Sequence, residues 1–184
     1  FRLLEDIMRV EELSDFHLCG GTALSLHFGH RLSVDLDLFT NVPLDKPFLE
    51  ETLSSRFEDF QPVFSRVKSF FFSYIRSIKV DCVYTPAPVL SPFSLLDGIR
   101  FWSLPDIIAM KLNAIYGRGS KKDFWDIYEL LEHYNLREMV NIFFSKYPSA
   151  FEEGLYMSLV YFDDADNQAN PVSLKKQSWP VIKK

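Results

Sequence analysis

Two aspartates stand one residue apart in an otherwise apolar run, Val34-Asp35-Leu36-Asp37-Leu38-Phe39. Polar Ser33, Asp35 and Asp37 alternate with apolar Val34, Leu36 and Leu38, which predicts a strand over Ser33 to Phe39 with one buried face. Both carboxylates then leave the other face, roughly 6–7 Å apart along the chain. Two acids that close repel unless a positive charge lies between them, and hard cations such as Mg²⁺ are held by one or two carboxylates together with substrate phosphates. The alternative is a solvated strand face that happens to carry two acids. Asp81, within Ile78-Lys79-Val80-Asp81-Cys82-Val83, is a third acid in a strand-like run. If it reaches the pair, the three carboxylates suit two metal ions about 3.5–4 Å apart, which activate an attacking oxygen and stabilise a leaving pyrophosphate.

Other residues could serve the same chemistry. Gly20-Gly21-Thr22 precedes the pair by the length of one short helix, which Thr22 is expected to N-cap and which runs through Ala23, Leu24 and Leu26 to about Phe28. Backbone amides of a glycine pair approach phosphate closely, and a helix N-terminus favours negative charge, although a bare Gly-Gly also serves as a plain turn. Lys111 is the only charged residue between Asp106 and Arg118. Its ammonium is costly to bury unpaired, so it either snorkels to the surface or points into a polar cleft. Arg118 shares its helix face. On the following helix Asp123 and Asp126 share one side, opposite Phe124, Ile127, Tyr128 and Leu131, and are read either as a solvated face or as part of a site.

The elements that must position these groups follow from periodicity. An amphipathic helix is expected over Leu3 to Leu13, a strand over Phe16 to Cys19 and a helix over Pro47 to Phe57. Strand-like runs follow at Pro62 to Val67, Ser69 to Arg76 and Ile78 to Tyr84, for a sheet of about four to five strands. After Leu104 the pattern turns helical: Pro105 to Tyr116, Lys121 to His133, Leu136 to Lys146, and about Ser149 to Phe162. The class is α+β, divided into an α/β core over 1–92, a helical subdomain over 93–163 and a loosely ordered polar tail over 164–184, with a ligand cleft expected between the halves.

At 184 residues, 47% apolar and 16% aromatic, the chain can bury a sizeable core. A net charge of −5 and pI near 5.4 exclude a generally basic surface, so any nucleic acid must meet a local patch. Cys19 and Cys82 sit among apolar neighbours, which suits buried thiols in a reducing, cytoplasmic setting. No apolar run reaches the ~18 residues of a membrane span, and no secretory pattern opens the chain. It begins at Phe1 without a Met and is expected to be a fragment or a processed form. His17, His27 and His30 are expected to pack or pair, and Arg31 to meet an acid or a phosphate.

The segments GGTALSLHFGHRLSVDLDLF and DIIAMKLNAIYGRGSKKDFWDIYELL together resemble the AbiEii/AbiGii nucleotidyltransferase toxins, the toxin half of bacterial type IV abortive-infection toxin–antitoxin pairs. The resemblance covers roughly residues 16 to 133. It implies the DNA polymerase β-like nucleotidyltransferase fold, in which a glycine turn positions a triphosphate and acids on neighbouring strands hold Mg²⁺, here two ions. On that pattern Gly20, Gly21 and Thr22 match the phosphate-binding turn, Asp35 and Asp37 the metal-binding pair, and Asp81 the third acid by position only. The turn is Gly-Gly where the wider superfamily has Gly-Ser, which leaves Thr22 to supply the hydroxyl. Lys111 matches the lysine of the helical block, expected to contact the triphosphate with help from Arg118 or Lys122. Asp123 or Asp126 matches that block's acid, in a structural or catalytic role.

The resemblance therefore implies Mg²⁺-dependent transfer of NMP from an NTP to an acceptor hydroxyl, with Asp81 helping to deprotonate the acceptor. The implied acceptor is the 3′ end of a tRNA, the outcome growth arrest, and the protein partner a cognate antitoxin. Two rivals stay open. A small-molecule, antibiotic-type nucleotidyltransferase would fit the acidic pI, and an inactive binding module of the same fold would not need the intact Asp35, Asp37 and Lys111.

Overall fold

Leu3, Leu4, Ile7 and Met8 fall at helical spacing, and they are the buried residues of the opening helix α1 (Arg2–Met8). The computed structural model describes residues 1–184. The single helix expected over Leu3 to Leu13 is broken: Val10 takes an extended conformation and a 3-10 turn, Glu11–Leu13, follows, which lets both Val10 and Leu13 reach the core. Next come β1 (His17–Cys19), α2 (Gly20–Phe28), β2 (Leu36–Thr40) and α3 (Lys46–Arg56). Asp45 caps α3 by accepting from the Phe48 amide at 3.1 Å, with Pro47 in the first turn.

β3 (Gln61–Val63), β4 (Phe70–Ile75), β5 (Ile78–Tyr84), β6 (Ser94–Leu96) and β7 (Ile99–Phe101) complete a seven-stranded sheet in the order β3-β4-β5-β2-β1-β7-β6. β2 runs parallel to β5 and β1 parallel to β7, and the other pairings are antiparallel. The sheet exceeds the four to five strands expected because β6 and β7 are three residues each and β6 is wholly exposed, so no alternation betrays it. Their turn was legible in principle: Asp97 and Gly98 both have positive φ, as a tight two-residue hairpin demands.

The helices that follow are α4 (Leu104–Gly117), α5 (Lys121–Leu131), α6 (Leu136–Lys146), α7 (Glu152–Val160), α8 (Asp163–Asp166) and α9 (Trp179–Ile182). Asn135 and Glu138 form a reciprocal capping box that starts α6. No helix is long and apolar enough to cross a membrane. Cys19 and Cys82 are buried thiols, and burial pushes Cys82 up to about 12 with some help from Asp81.

The chain separates into two compact units, the first made of residues 1–22, 34–87 and 92–102, the second of 23–33, 88–91 and 103–184. This differs from the expected division at 92 and 163, because strand pairing places β6 and β7 with the sheet. The first unit contains the whole sheet with α1 and α3. Arg100 on β7 secures its N-terminal segment, donating to the carbonyls of Met8 at 2.7 Å, Leu13 at 3.0 Å and Phe16 at 3.1 Å.

The second unit contains most of α2 and the helices α4 to α9, with α4 packed on α5, α6 and α7. Residues 164–184 belong to it and are not a loose tail. Leu174 donates to the His30 carbonyl and Leu32 to that of Val172, both at 2.9 Å, while buried Trp179 stacks on Trp125 with ring centres 6.2 Å apart. Trp179 and Ile182, three apart, are enough to anchor a short helix that overall polarity concealed.

Within this unit Lys146 and Asp106 form a fully enclosed ion pair at 2.7 Å. Lys146 also donates to the Pro88 carbonyl at 2.7 Å, and Asp106 accepts from the amides of Leu90 and Ser91 and the Ser103 hydroxyl. Removing one partner of a buried pair strands the other charge, so Lys146→Met should lower stability by about 3–5 kcal/mol in urea unfolding. A loss below about 1 kcal/mol would mean that the remaining donors suffice for Asp106.

Candidate active site

The carboxylate cluster is built by strand register. β2 and β5 pair in parallel with Asp37 opposite Asp81, and β1 places Cys19 opposite Asp37 on its other side. Directly opposed residues point to the same face, and neighbouring strands lie about 4.8 Å apart, so the Asp37 and Asp81 carboxylates stand side by side. Asp81 is buried and Asp37 half-buried. Asp35 was expected inside the strand, but β2 begins at Leu36. The Asp35 carbonyl instead accepts the Thr22 hydroxyl, which takes the place of a ladder partner.

Thr22 is not the expected N-cap. α2 starts at Gly20, which places Thr22 inside its first turn. Gly20 has φ +70°, and a Cβ there would strike the Asp37 carboxylate. Glycine at this position is therefore required both by backbone conformation and by the close approach of Asp37. Buried Gly21 follows, and the start of α2 thus lies against the Asp37 carboxylate at Gly20.

Lys79 is the member of this group that sequence reading missed. It lies two residues before Asp81 on β5, hence on the same face, and its ammonium donates to the Asp81 carboxylate. Its Nζ stands 5.4 Å from the centre of the Phe72 ring, a cation–π contact. Partial burial works against its charge, but the bond to Asp81 and the fields of Asp81, Asp37 and Asp35 outweigh it and raise its pKa. All three acids thus act on one cation. The available signal was its spacing: a lysine two residues from an acid in a strand shares that acid's face.

Hard carboxylate oxygens are the donor type that Mg²⁺ prefers, and the ion pair of the Lys79 ammonium with Asp81 places positive charge within the cluster. As the side chains stand, no three His, Cys, Asp or Glu residues converge closely enough to hold a metal ion.

The helical block forms a second, separate network. Lys111 is buried with its Nζ 3.0 Å from Asp123 Oδ1 and 2.7 Å from Asp126 Oδ2. Lys111 does not snorkel to the surface, and the polar surroundings expected as the alternative are an enclosed pairing with two buried acids. Asp126 also accepts a two-pronged contact from Arg31, Nε at 2.6 Å and an Nη at 2.9 Å, and His30 Nε2 at 2.7 Å. Asp123 accepts from the Ser120 hydroxyl and from Arg118 Nε at 3.2 Å.

Both acids are fully buried, which overturns the solvated-face reading of α5. Burial pushes the pKa of Asp126 up, but Lys111, His30 and Arg31 pull it further the other way and hold it well below the carboxylate range. For Asp123, Lys111 and Arg118 likewise outweigh burial and lower it. Lys111 is raised, since Asp126 and Asp123 overcome its own desolvation. Arg118 is mostly exposed beyond its Asp123 contact, and Lys122 is exposed. His17 stacks on Phe93 at 3.8 Å between ring centres.

Residues 2–172 match the family described as nucleotidyl transferase AbiEii toxin, type IV TA system. An uncharacterised protein of Aquifex aeolicus (strain VF5) is 35% identical over 168 residues, 88% of this chain and 81% of its own. Among solved structures, MenT4, a nucleotidyltransferase toxin from Mycobacterium tuberculosis, aligns at TM-score 0.55 and 16% identity over 77% of this chain and 62% of its own. JHP933 from Helicobacter pylori aligns at 0.53 and 20% over 85% and 84%. The Megavirus polyadenylate synthase aligns at 0.52 and 19% over 71% of this chain, which spans only 31% of that protein. At these identities the likeness is one of fold: the mixed sheet followed by helices is the DNA polymerase β-like nucleotidyltransferase fold.

The buried network has a pH signature. Asp123 and Asp126, depressed in the folded state, stabilise it fully above their unfolded pKa of about 3.9 and lose that contribution as pH falls through the folded values. Lys111, raised when folded, contributes fully below about 10.4 and loses its contribution as pH rises through the folded value. The destabilisation caused by Asp126→Asn, about 3–5 kcal/mol at neutral pH, should therefore shrink in strong acid and in strong alkali. Urea unfolding of both proteins across pH measures this, and a gap independent of pH would count against the ion-pair account.

Proposed function

Since the chain belongs to the AbiEii nucleotidyltransferase toxin family of type IV toxin–antitoxin systems, we propose that it transfers NMP from an NTP to the 3′-terminal hydroxyl of a tRNA. The observation that carries the reading is the register of β2 on β5, which sets Asp37 beside Asp81 with Asp35 two residues away and Gly20 against Asp37.

Asp35, Asp37 and Asp81 are the residues suited to hold Mg²⁺. When bound, divalent ions polarise the phosphate under attack and lower the pKa of the attacking hydroxyl. Asp81 takes the proton of the acceptor hydroxyl. The acceptor oxygen forms a bond to the α-phosphorus while the bond from that phosphorus to the α–β bridging oxygen breaks, and pyrophosphate leaves with the electron pair. Amides at Gly20 and Gly21 receive phosphate oxygens at the start of α2. Thr22, whose hydroxyl is engaged by the Asp35 carbonyl, positions the carboxylate segment.

Arg118 and Lys122 are exposed cations of the helical block, groups of the type suited to neutralising phosphate charge. Lys111 is fixed by Asp123 and Asp126, and that triad orders the segment carrying these cations. The family reading adds a cognate antitoxin as protein partner, and the buried thiols suit a cytoplasmic site of action.

A small-molecule acceptor is the second reading, favoured by the net charge of −5, which offers RNA no general attraction. Label transfer from each α-labelled NTP, with Mg²⁺, onto total RNA and onto a small-molecule extract separates the two. Label on RNA, absent with Asp37→Asn or with EDTA and reduced ~10²–10⁴-fold by Asp81→Asn, is the expected result. Label confined to the small-molecule pool would replace the tRNA reading with the second one.

A further inference from the structure

We propose that Lys79 is a tethered counter-ion of the carboxylate site, which a divalent cation must displace before it can bind. The inference rests on the metal-site reading above and goes beyond it by assigning a role to a residue outside the expected ligand set.

Strand register makes the placement obligatory. Lys79 is opposite Tyr74 of β4 and one step before the Val80–Leu36 pair, so its side chain leaves the face that carries Asp81 and Asp37. Its ammonium donates to an Asp81 oxygen and lies against the Phe72 ring. Asp37 and Asp81, side by side on this face, repel one another, and a single ammonium relieves only part of that repulsion. A divalent ion relieves more and draws several oxygens inward, but it needs the carboxylate of Asp81 that Lys79 now engages.

The exchange is mechanically simple. Lys79 is held by one ion pair and one ring contact, its side chain is 38% exposed, and its four-carbon stem can swing without moving β5. Lys111 provides the contrast, with two carboxylates on a 7% exposed side chain. Because Lys79 is attached to the strand it competes at high effective concentration, so metal alone meets constant competition. A nucleotide shifts the balance twice: its phosphates add ligands to the metal, and they give the displaced ammonium a new partner. Metal is therefore taken up together with NTP in preference to alone.

Binding of Mn²⁺, followed by the loss of the free-ion signal in electron paramagnetic resonance, tests this without relying on activity. Wild-type protein, Lys79→Met, Lys79→Arg and Asp37→Asn are titrated with and without a non-hydrolysable NTP analogue, after circular dichroism has established that each is folded. Lys79→Met should bind Mn²⁺ about tenfold or more tightly than wild type without nucleotide, as removal of one partly screened charge beside a divalent ion gives. Lys79→Arg, which keeps the charge, should stay near wild type, and the difference between wild type and Lys79→Met should narrow when the analogue is present.

Equal or weaker binding by Lys79→Met would overturn the counter-ion role while leaving the metal site intact. Should neither wild type nor Lys79→Met bind Mn²⁺ even with the analogue, or should Asp37→Asn bind as wild type does, the metal-site reading would fall, and this inference with it.

Discussion

Five successive pairs, from Leu36 opposite Val80 to Thr40 opposite Tyr84, hold β2 parallel to β5, and the arrangement of the acids depends on that register. A slip of one residue would send Asp37 to the face of Leu36 and Leu38, which are buried, and would separate it from Asp81. The core prevents the slip, because Leu38, Val80 and Cys82 are fully enclosed and would have to exchange with charged neighbours. Hydrophobic burial on one face of the sheet thus aligns carboxylates on the other. The positive φ of Gly20 and its lack of a Cβ then allow the start of α2 to lie against the aligned pair.

Charge is handled in two ways. Asp123 and Asp126 are enclosed with Lys111, Arg31 and His30, and several buried contacts would have to break for either acid to leave. Such a cluster is costly to desolvate and stiff once formed, which suits a framework role. The sheet cluster is arranged differently. Its carboxylates are less enclosed, and its cation is a single lysine on a flexible stem, the combination expected where a charge has to be exchanged during function.

Legibility differed from element to element for identifiable reasons. α6 and β5 match their expected spans residue for residue: Asn135 and Glu138 mark the start of α6 with a local capping box, and β5 is a continuous β-rich run. β2 started late because alternation continues through Ser33 to Asp35, where the backbone has left the ladder and Thr22 supplies the bond. β6 escaped notice because three exposed residues carry no period, and residues 164–184 because two buried side chains among many polar ones do not alter an average.

The sequence by itself determined which residue types are candidates for the chemistry and most of the local elements that bear them. Types, spacing and the Gly-Gly-Thr, Asp-Leu-Asp and lysine-centred segments are covalent facts and need no partner to be read. Only the tertiary structure decided who faces whom. Asp126 meets Arg31 and His30 across some 95 residues of chain, Asp37 meets Asp81 through strand order, and Lys79 enters the carboxylate cluster because β5 lies beside β2. The physical reason is that a carboxylate's partner is chosen by proximity in a low-dielectric interior, and proximity is set by packing of the apolar residues around it, which no local pattern encodes.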